Sequence, residues 1–391
     1  MNTSKRLLTI IVAAALAASG FAAVARAQEP GPIDDYAVAS LAEAAGISRE
    51  EAARRLQNQG PQAELAERLA EQLGDRSGGS YLDRRSGELI VNVLDDRAAE
   101  QVRAAGATPR TVRYSTAGLQ RVSDRLDPEG AAGRSGLVTS IGVDPQTDTV
   151  LVTIPAAAQR EAAQFVEQTR SSYGDQVSFE YTEDPAPEQQ SSYVYAGGQH
   201  ISSALGNCTA GLAAKDANNY RYMLTALHCV SGNAYNVYTS GQFFGQRWYQ
   251  SQNYYDMATV LNWNPANMIQ TATAGPWYNY VVIKGALTSI QNWWVCKSGM
   301  TTGWKCGYVV LTGQKVWVGG SVGYEYNLTA AKLCGQGGDS GAPVVFQTLQ
   351  GYWYATGIHS AGPAVCTASS NSFFVPVKSL LNASGLSIVT G

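Results

Sequence analysis

Acidic residues are almost missing from the second half of this chain, and cysteine is missing from the first. Residues 193–391 hold four Asp and Glu against nine Lys and Arg, a net charge of +5. Residues 28–192 hold 27 Asp and Glu against 16 Lys and Arg, a net charge of −11. The composition therefore changes near residue 192, and it indicates two bodies whose opposite charges attract each other.

Long apolar stretches are missing after residue 24, which excludes a membrane span of ~20 apolar residues in the rest of the chain. The first stretch, from Leu7 to Val24, follows Lys5 and Arg6 and precedes a small-residue site at 25–27. This arrangement predicts a signal peptide, residues 1–27, cut before Gln28. A membrane anchor is the alternative, but no stop-transfer flank follows. We expect a secreted product with no membrane partner.

The cysteine pattern gives no support for a metal site, because the second half contains no Cys-x-x-Cys pair. An even number of cysteines in an exported chain predicts three disulfides. The sequence alone leaves their pairing open, although sequential pairing would give three short loops that do not nest.

The first half alternates helical and strand patterns. Gly46 ends the first helix, and Ser48 with Glu51 forms a capping box that opens the next. Helices are predicted over 36–45, from 48 onward, over 98–105 and over 157–169, and strands over 89–93, 150–154 and 177–181. Residues 28–192 therefore form an α+β region, which ends in a polar, proline-bearing linker at 182–192.

The second half consists of short apolar runs separated by Gly, Asn and Ser turns, with no helical period between them. Such a pattern is typical of an all-β barrel or sandwich. Its 199 residues are enough for two small barrels.

One segment near the C-terminus, 334–343, carries a serine between glycines. Ser340 follows Gly338 and Asp339 and precedes Gly341, which suits a hydroxyl held at a tight turn with backbone N–H groups around it. A histidine upstream, His228, offers a base, and Asp256 offers a carboxylate. The order His, Asp, Ser is that of the chymotrypsin-like arrangement.

The carboxylate can be assigned nearly by elimination, since only four acidic residues are available. Asp216 lies in a turn, Asp339 adjoins the serine, and Glu325 lies in a strand-like run. Asp256 alone has apolar neighbours, at 257, 258 and 260, that could carry it to the junction of two barrels. A single histidine beside a cysteine is most often a packed residue. The Thr-Ala-Leu-His-Cys context of His228 favours the catalytic interpretation.

These motifs resemble those of the bacterial chymotrypsin-like serine proteases of the α-lytic protease and streptogrisin group. The matching stretches are 225–229, 256–258, 296–303 and 338–341, and the similarity covers nearly all of 193–391. The first half is similar to the pro-region of that group in size, acidity and mixed pattern.

The resemblance implies an all-β fold of two six-stranded antiparallel barrels with the active site between them. It implies Ser340 as nucleophile, His228 as general base and acid, Asp256 as the orienting carboxylate, and the N–H groups of Gly338 and Ser340 as oxyanion hole. It also implies the disulfides Cys208–Cys229, Cys296–Cys306 and Cys334–Cys366.

Two further roles come from the same resemblance. Ser360 matches a serine that donates a hydrogen bond to the buried aspartate. Asp339 would pair with an internal basic residue, which is usually arginine and here is Lys297. Lysine supplies a point charge in place of a bidentate fork.

The substrate pocket implied by the resemblance is formed by Gly335, Gly337, His359 and Gly362, with Ser360 and Ala361 on its wall. Three glycines leave it wide, which favours a large apolar or aromatic residue before the scissile bond (P1). No acidic residue falls in these segments, which disfavours a basic P1. Glutamate-specific relatives carry a histidine at the place of His359, so a glutamate-specific endopeptidase is the alternative.

We therefore expect a secreted serine endopeptidase made as a self-processing precursor. Residues 28–192 are the pro-region, a folding helper and inhibitor, and 193–391 are the protease domain, with a cut between 188 and 196, preferably beside Tyr193. The expected partners are polypeptide substrates and the pro-region. We expect a monomer with no metal, cofactor, nucleic-acid or membrane partner. A catalytically inactive secreted binding module is the competing class, but it would lack a triad member.

Overall fold

The computed structural model describes residues 33–126, 137–183, 188–189, 200–239, 242–250, 256–262, 271–273, 280–319, 323–348, 352–367 and 370–390. The expected signal peptide and most of the expected cleavage window lie outside these ranges. No helix in the described part is long and apolar enough to cross a membrane.

The first body begins with two helices joined by a short turn, α1 (Asp35–Ala45) and α2 (Arg49–Leu73). Gly46 closes α1 in a left-handed conformation, with φ 62°, and the Ser48 side chain accepts a hydrogen bond from the N–H of Glu51. The end of α1 and the beginning of α2 are therefore as predicted. The helix α2 continues through Gly60 and Pro61 to a length of 25 residues.

A three-stranded sheet follows, and a second small α/β unit completes the first body. The sheet consists of β1 (Ser77–Leu82), β2 (Leu89–Val93) and β3 (Thr108–Thr111), with helix α3 (Asp96–Ala104) before β3. The second unit consists of α4 (Thr116–Arg125), β4 (Ser140–Asp144), β5 (Thr149–Pro155), α5 (Ala163–Tyr173) and β6 (Val177–Thr182). The helix predicted over 157–169 begins six residues later, because a 3-10 turn at Ala156–Ala158 follows Pro155. A two-residue strand, β7 (Glu188–Gln189), follows.

The second body is built from two sheets. In the first, the order is β23-β10-β11-β14-β13-β12-β8-β9, and every pairing is antiparallel. Its strands are β8 (His200–Ser203), β9 (Gly206–Thr209), β10 (Ala213–Lys215), β11 (Arg221–Thr225), β12 (Asn236–Thr239), β13 (Gln242–Gln250), β14 (Ala258–Asn262) and β23 (Ser387–Ile388). Among the described residues no pairing closes this sheet, so its closure as a six-stranded barrel stays a prediction.

The second sheet contains a closed ring of six antiparallel strands. The ring runs β17-β18-β19-β22-β21-β20 and back to β17. Its members are β17 (Trp294–Gly299), β18 (Gly303–Trp317), β19 (Tyr324–Ala331), β20 (Pro343–Gln347), β21 (Trp353–Gly362) and β22 (Ser372–Pro376). Strands β15 (Thr271–Thr273) and β16 (Tyr280–Ala286) extend it at β21, and helix α6 (Val377–Ser384) follows β22.

The two bodies share their apolar interior. Ala52 and Leu56 of α2 lie in one core cluster with Trp304 and Trp353 of the ring, and Leu69 of α2 lies in another that reaches into the ring. Strand β18 also pairs with β4, so that β4, β5 and β6 continue the sheet of the ring. The all-β second body and the α+β first body are thus joined by side-chain packing and by backbone hydrogen bonds.

Candidate active site

Two glycines shape the turn that carries Ser340. Gly338 and Gly341 have φ of +96° and +87°, a region that side chains strongly disfavour. A Cβ on Gly341 would overlap the carbonyl oxygen of Thr209 and the hydroxyl of Thr225, both in the first sheet. The turn therefore lies directly against that sheet, and the N–H of Thr209 donates to the carbonyl of Ser340 at 2.8 Å.

Beneath the turn, Asp339 and Lys297 form an ion pair that is inaccessible to solvent. Lys297 Nζ lies 2.5 Å from Asp339 Oδ2 and 2.9 Å from the hydroxyl of Thr302. Asp339 also accepts hydrogen bonds from the backbone N–H groups of Thr301, Thr302 and Gln336. Burial, the largest single effect, acts to raise the pKa of Asp339, but the charge of Lys297, further nearby charge and the hydrogen bonds of Lys297 and Thr302 together lower that pKa from 3.8 to about 2.

The first sheet brings His228 and Asp256 together. His228 lies just after β11, Asp256 lies just before β14, and these two strands pair. His228 Nδ1 is 2.7 Å from Asp256 Oδ2, and the backbone N–H of His228 donates to Asp256 Oδ1 at 2.8 Å. Two contacts from one carboxylate fix both the position and the tautomer of the imidazole, leaving Nε2 as the atom that can accept a proton.

Ser360 of β21 completes this group from the second sheet. Its Oγ lies 2.7 Å from Asp256 Oδ2, and its carbonyl oxygen accepts a hydrogen bond from Ser340 Oγ at 3.3 Å. His228 Nε2 has no hydrogen-bond partner among the described residues.

The charges of the group favour a basic imidazole. Burial would lower the pKa of His228, but the charge of Asp256 and its hydrogen bond raise that pKa above 6.5, with a smaller contribution from Glu325. Burial would raise the pKa of Asp256, but the charge and hydrogen bonds of His228 and the hydroxyl of Ser360 hold it below 3.8. Asp256 is therefore ionised at neutral pH.

Glu325 was not singled out from the sequence, where it lies in a strand-like Gly-Tyr-Glu-Tyr run. In the structure it is only 4% exposed, and its Oε2 is 3.0 Å from Ser360 Oγ. Thr209, Thr301 and Thr302 also support the site without having been predicted. The sequence offered one signal for Glu325, an acidic residue among apolar strand residues in a part of the chain that has only four.

The structure describes the surroundings of several residues that were expected to form the pocket. Gly335 faces His359: a Cβ there would lie 2.7 Å from His359 Cε1 and 2.7 Å from Ser372 Oγ. The carbonyl of Gly337 accepts a hydrogen bond from the hydroxyl of Thr301 at 2.5 Å. His359 is fully buried, and burial together with the charge of Lys297 lowers its pKa from 6.5 to about 3. Its ring is therefore neutral at pH 7.

The strand expected to form the pocket wall pairs with the end of the first body. Strand β7 pairs antiparallel with the last residues of β21, with Glu188 opposite Gly362 and Gln189 opposite Ala361. Residues 188 and 189 therefore lie alongside the strand expected to form the pocket wall.

All six cysteines form disulfides, Cys208–Cys229, Cys296–Cys306 and Cys334–Cys366. The first lies beside His228 and the third beside Gly335. These are the pairings that the resemblance implied.

Comparison with known proteins agrees with this architecture. Residues 50–112 match the family model described as alpha-lytic protease pro N-terminal, residues 114–172 match that of the alpha-lytic protease prodomain, and residues 194–383 match that of trypsin. The fold and these matches define a chymotrypsin-like serine endopeptidase that is preceded by a pro-region.

Curated relatives narrow the class to a family. Serine protease 1 of Streptomyces fradiae is 30% identical over 321 residues, which cover 81% of this chain and 84% of that protein. Serine protease 1 of Rarobacter faecitabidus is 28% identical, covering 97% of this chain and 69% of that protein, and streptogrisin-C of Streptomyces griseus is 25% identical, covering 90% and 74%. The chain belongs to the α-lytic protease and streptogrisin family of serine proteases.

Solved structures similar to this chain include a glutamic acid specific serine protease that uses a histidine triad in substrate binding, at 26% identity and a TM-score of 0.44, covering 49% of this chain and 99% of that one. Thermobifida fusca protease A is 28% identical with a TM-score of 0.44, covering 50% and 98%.

Proposed function

We propose that Ser340, His228 and Asp256 act as the catalytic triad of a secreted endopeptidase. The observation that carries this proposal is the double contact of Asp256 with the ring and the backbone of His228, on a sheet against which the Ser340 turn is packed. An orienting carboxylate, a base with a free accepting nitrogen and a hydroxyl at a glycine turn are the parts that acyl transfer requires.

In this mechanism Ser340 Oγ attacks the substrate carbonyl carbon while His228 Nε2 takes its proton. The negative charge that develops on the carbonyl oxygen is stabilised by the N–H groups of Gly338 and Ser340. His228 then gives the proton to the leaving amine, and an acyl-enzyme remains on Ser340. Water, activated by the same imidazole, hydrolyses that ester and restores the serine.

Labelling with a serine-directed phosphonate tests the triad. The self-processed protein should be labelled at Ser340 in a peptide identified by mass spectrometry, and labelling should be lost in the Ser340→Ala variant. Asp256→Asn should keep the fold and lower kcat by about 10⁴-fold, because the imidazole would adopt the wrong tautomer. A processed, folded protein that takes no label at Ser340 would instead support the inactive binding module.

For the substrate, we propose a large apolar or aromatic P1 residue. Gly335, Gly337 and Gly362 leave room for such a side chain, and His359 contributes a neutral wall. Protonation of His359 at pH 7 is unfavourable, because burial and the charge of Lys297 lower its pKa to about 3. An acidic P1 side chain would have to repay that cost before it gained from the positive charge.

Matched peptides with Phe, Leu, Glu or Lys at P1 separate the alternatives. We expect Phe and Leu to be cleaved fastest. A Glu peptide cleaved at least ~10-fold faster than Phe, about 1.4 kcal/mol of transition-state discrimination, would support the glutamate-specific alternative. In that case His359→Val should remove the Glu preference and leave cleavage of the Phe peptide unchanged.

We further propose that residues 28–192 act as folding helper and inhibitor of 193–391, and that the precursor cuts itself between 188 and 196. The shared core clusters and the continuous β4–β18 pairing support the first role. The pairing of Glu188 and Gln189 with β21 supports the second, since it brings a part of the chain next to the expected cut alongside the expected pocket wall.

Refolding and sequencing test these two roles separately. Residues 193–391, denatured and diluted alone, should recover little activity, and adding 28–192 in trans should restore it. Equal recovery with and without the pro-region would contradict the helper role. N-terminal sequencing of the secreted enzyme should give a start within 188–196, preferably Tyr193, whereas a start before Glu180 would contradict the domain boundary.

A further inference from the structure

The peptide between Gly337 and Gly338 begins the turn that carries Ser340, and glycines flank it on both sides. Gly338 has a φ of +96°, in the region that side chains disfavour. Turning this peptide over would change φ of Gly338 by about half a turn, to a negative value, and glycine occupies positive and negative φ about equally. Backbone sterics therefore do not determine which way this peptide faces.

The orientation of this peptide decides whether the proposed oxyanion hole can work. A trans peptide points its C=O and its N–H in opposite directions, so the direction of the Gly337 carbonyl fixes that of the Gly338 N–H. In the described part of the chain no backbone carbonyl accepts a hydrogen bond from this N–H. Turned over, the same peptide would present a carbonyl oxygen, in place of a donor, to the negative charge that develops on the substrate.

The hydroxyl of Thr301 holds the Gly337 carbonyl. Thr301 lies in the turn between β17 and β18, and its Oγ1 donates to the Gly337 oxygen at 2.5 Å. A carbonyl oxygen projects about 1.2 Å from the chain, whereas the amide nitrogen is part of the chain. A peptide turned over would therefore offer Thr301 a more distant nitrogen, so the contact favours the observed orientation.

The position of Thr301 is fixed in turn by the buried ion pair. Its backbone N–H donates to Asp339 Oδ1 at 2.9 Å, and the other oxygen of this carboxylate lies 2.5 Å from Lys297 Nζ. Because Asp339 is the residue before the serine, these contacts place the Thr301 hydroxyl relative to the same turn.

The next peptide, between Gly338 and Asp339, is held from the first sheet. The hydroxyl of Thr209, at the end of β9, donates to the Gly338 carbonyl at 2.8 Å and accepts the N–H of Met300 at 3.0 Å. A hydroxyl has one hydrogen, so Thr209 cannot also donate to the Gly337 carbonyl. The peptides on the two sides of Gly338 are thus each held by one threonine, and Thr301 alone donates from its side chain to the first in the described part of the chain.

We propose that Thr301 is a positioning residue for the oxyanion hole: by donating to the Gly337 carbonyl, it keeps the Gly338 N–H turned toward the developing oxyanion. It acts through the 337–338 peptide and needs no contact with the substrate. This inference deepens the proposed serine endopeptidase mechanism and rests on it.

The kinetics of the self-processed enzyme test this role. Thr301→Val keeps the shape of the side chain and removes the hydroxyl. We expect kcat to fall about 10-fold with KM little changed, less than the about 10²–10³-fold cost of losing an oxyanion-hole donor outright, because the N–H is still present and is turned away in only part of the molecules.

Two further variants serve as rescue and control. Thr301→Ser retains the hydroxyl but loses the rotamer restriction of a β-branched side chain, and it should recover kcat to within about threefold. Thr329→Val is the matched control, because the Thr329 hydroxyl is buried with no hydrogen-bond partner among the described residues. This control should leave kcat unchanged.

Two readouts separate positioning from a general loss of structure. A peptide boronate forms a tetrahedral adduct on the serine and places an oxygen where the oxyanion develops, so its Ki should rise about 10-fold in Thr301→Val. The acidic limb of kcat/KM should stay within about 0.3 units of the parent, because His228 and Asp256 are unchanged. An unchanged kcat in Thr301→Val, a fall in kcat without a rise in Ki, or a loss that Thr301→Ser does not recover would overturn the proposal.

A measurement without turnover reports on the peptide directly. The full-length Ser340→Ala chain, isotope-labelled at glycine carbonyl carbons and glycine nitrogens, gives carbonyl–nitrogen correlations in NMR only where two glycines adjoin, at 78–79, 197–198, 319–320 and 337–338. The 337–338 signal is identified by its loss in Gly337→Ala. Its carbonyl frequency should move in Thr301→Val and return in Thr301→Ser.

The NMR result separates this inference from the function on which it rests. A carbonyl frequency that Thr301→Val leaves unchanged would mean that Thr301 does not hold the peptide, and the proposal would be wrong even in an active enzyme. If the parent enzyme proves inactive, the proposed function fails, and the carbonyl signal still decides whether Thr301 holds the 337–338 peptide.

Discussion

Replacing Lys297 by methionine would test the buried ion pair beneath the serine turn. Methionine retains an unbranched side chain of similar length but removes the charge that lies 2.5 Å from Asp339 Oδ2. Asp339 would then keep its hydrogen bonds from Thr301, Thr302 and Gln336 but lose its only described counter-charge.

The expected loss is large, because removing one partner of a buried pair leaves an uncompensated charge, at a cost of about 3–5 kcal/mol. The lowered pKa of Asp339, about 2 against 3.8, accounts for about 2 kcal/mol of this at neutral pH. That part is present above pH 3.8 and is lost as the pH falls through 2, because the protonated carboxyl no longer gains from the lysine. Burial meanwhile lowers the pKa of Lys297, because the charged ammonium is penalised inside the protein.

The assay is urea unfolding of the full-length chain in a Ser340→Ala background, which prevents self-cleavage. At pH 7 both Lys297→Met and Asp339→Asn should lose about 3–5 kcal/mol of unfolding free energy, and the double variant should lose clearly less than the sum. The difference between Lys297→Met and its parent should shrink toward pH 2. A loss below about 1 kcal/mol in Lys297→Met, or strict additivity in the double variant, would refute the reasoning.

Four further outcomes are expected. Gly341→Ala should yield unprocessed precursor on a gel, because its Cβ would overlap the first sheet; normal processing would contradict the turn geometry. Gly60→Ala should weaken inhibition by added pro-region by about 5–10-fold, because its Cβ would lie 2.8 Å from Thr348 Cγ2, and Thr348→Ser should restore it. On the acid side, activity should be half-maximal above pH 6.5. The raised pKa of His228 keeps the imidazole protonated to a higher pH, and a protonated imidazole cannot accept the serine proton; a midpoint below 6.5 would contradict this. Raising salt should slow association of the pro-region with the enzyme but leave dissociation nearly unchanged, measured by stopped flow and competition.

Local signals made part of the fold predictable. Gly46, in the left-handed conformation, and the Ser48 cap act within one turn of the chain. The end of α1 and the beginning of α2 can therefore be predicted without knowledge of the tertiary fold. The strands β1 and β3 were missed for the opposite reason. The first contains Gly78 and Gly79, and the second contains Pro109, residues that strands usually exclude, and only pairing with β2 makes them strands.

The candidate site likewise contains residues that local motifs reveal and a residue that they do not reveal. Ser340, His228 and Asp256 stand in short motifs whose residue types point to their chemistry. Glu325 has no such motif, and its approach to Ser360 depends on the pairing of β19 with β18 and β22, which fixes the face of the strand that is buried. Side chains alternate between the two faces of a strand, but this alternation alone does not show which face is buried; the partner strands determine that.

The charge difference between the two halves predicted that they attract each other. In the structure, ion pairs contribute little to the contact between them. In the described part of the chain one ion pair crosses between the halves, Glu67 with Lys378 at 3.1 Å. The remaining described ion pairs join residues of the same half. Net charge of opposite sign accelerates encounter over a distance set by the ionic strength, whereas buried contacts determine how long the bodies remain together.

Those buried contacts supply a physical basis for the proposed role of residues 28–192 as a folding helper. Leu69 of α2 lies in the same core cluster as Trp293 and Phe346 of the second body, and strand β18 finds a partner in β4. When the enzyme folds without the pro-region, this apolar surface and this strand edge have nothing to cover them, and the non-local pairings of the ring must form unaided. A surface that stabilises the unfinished ring during folding binds the finished ring as well, because the same residues are presented. The proposed assistance in folding and the proposed inhibition of the product would therefore be two consequences of one interface.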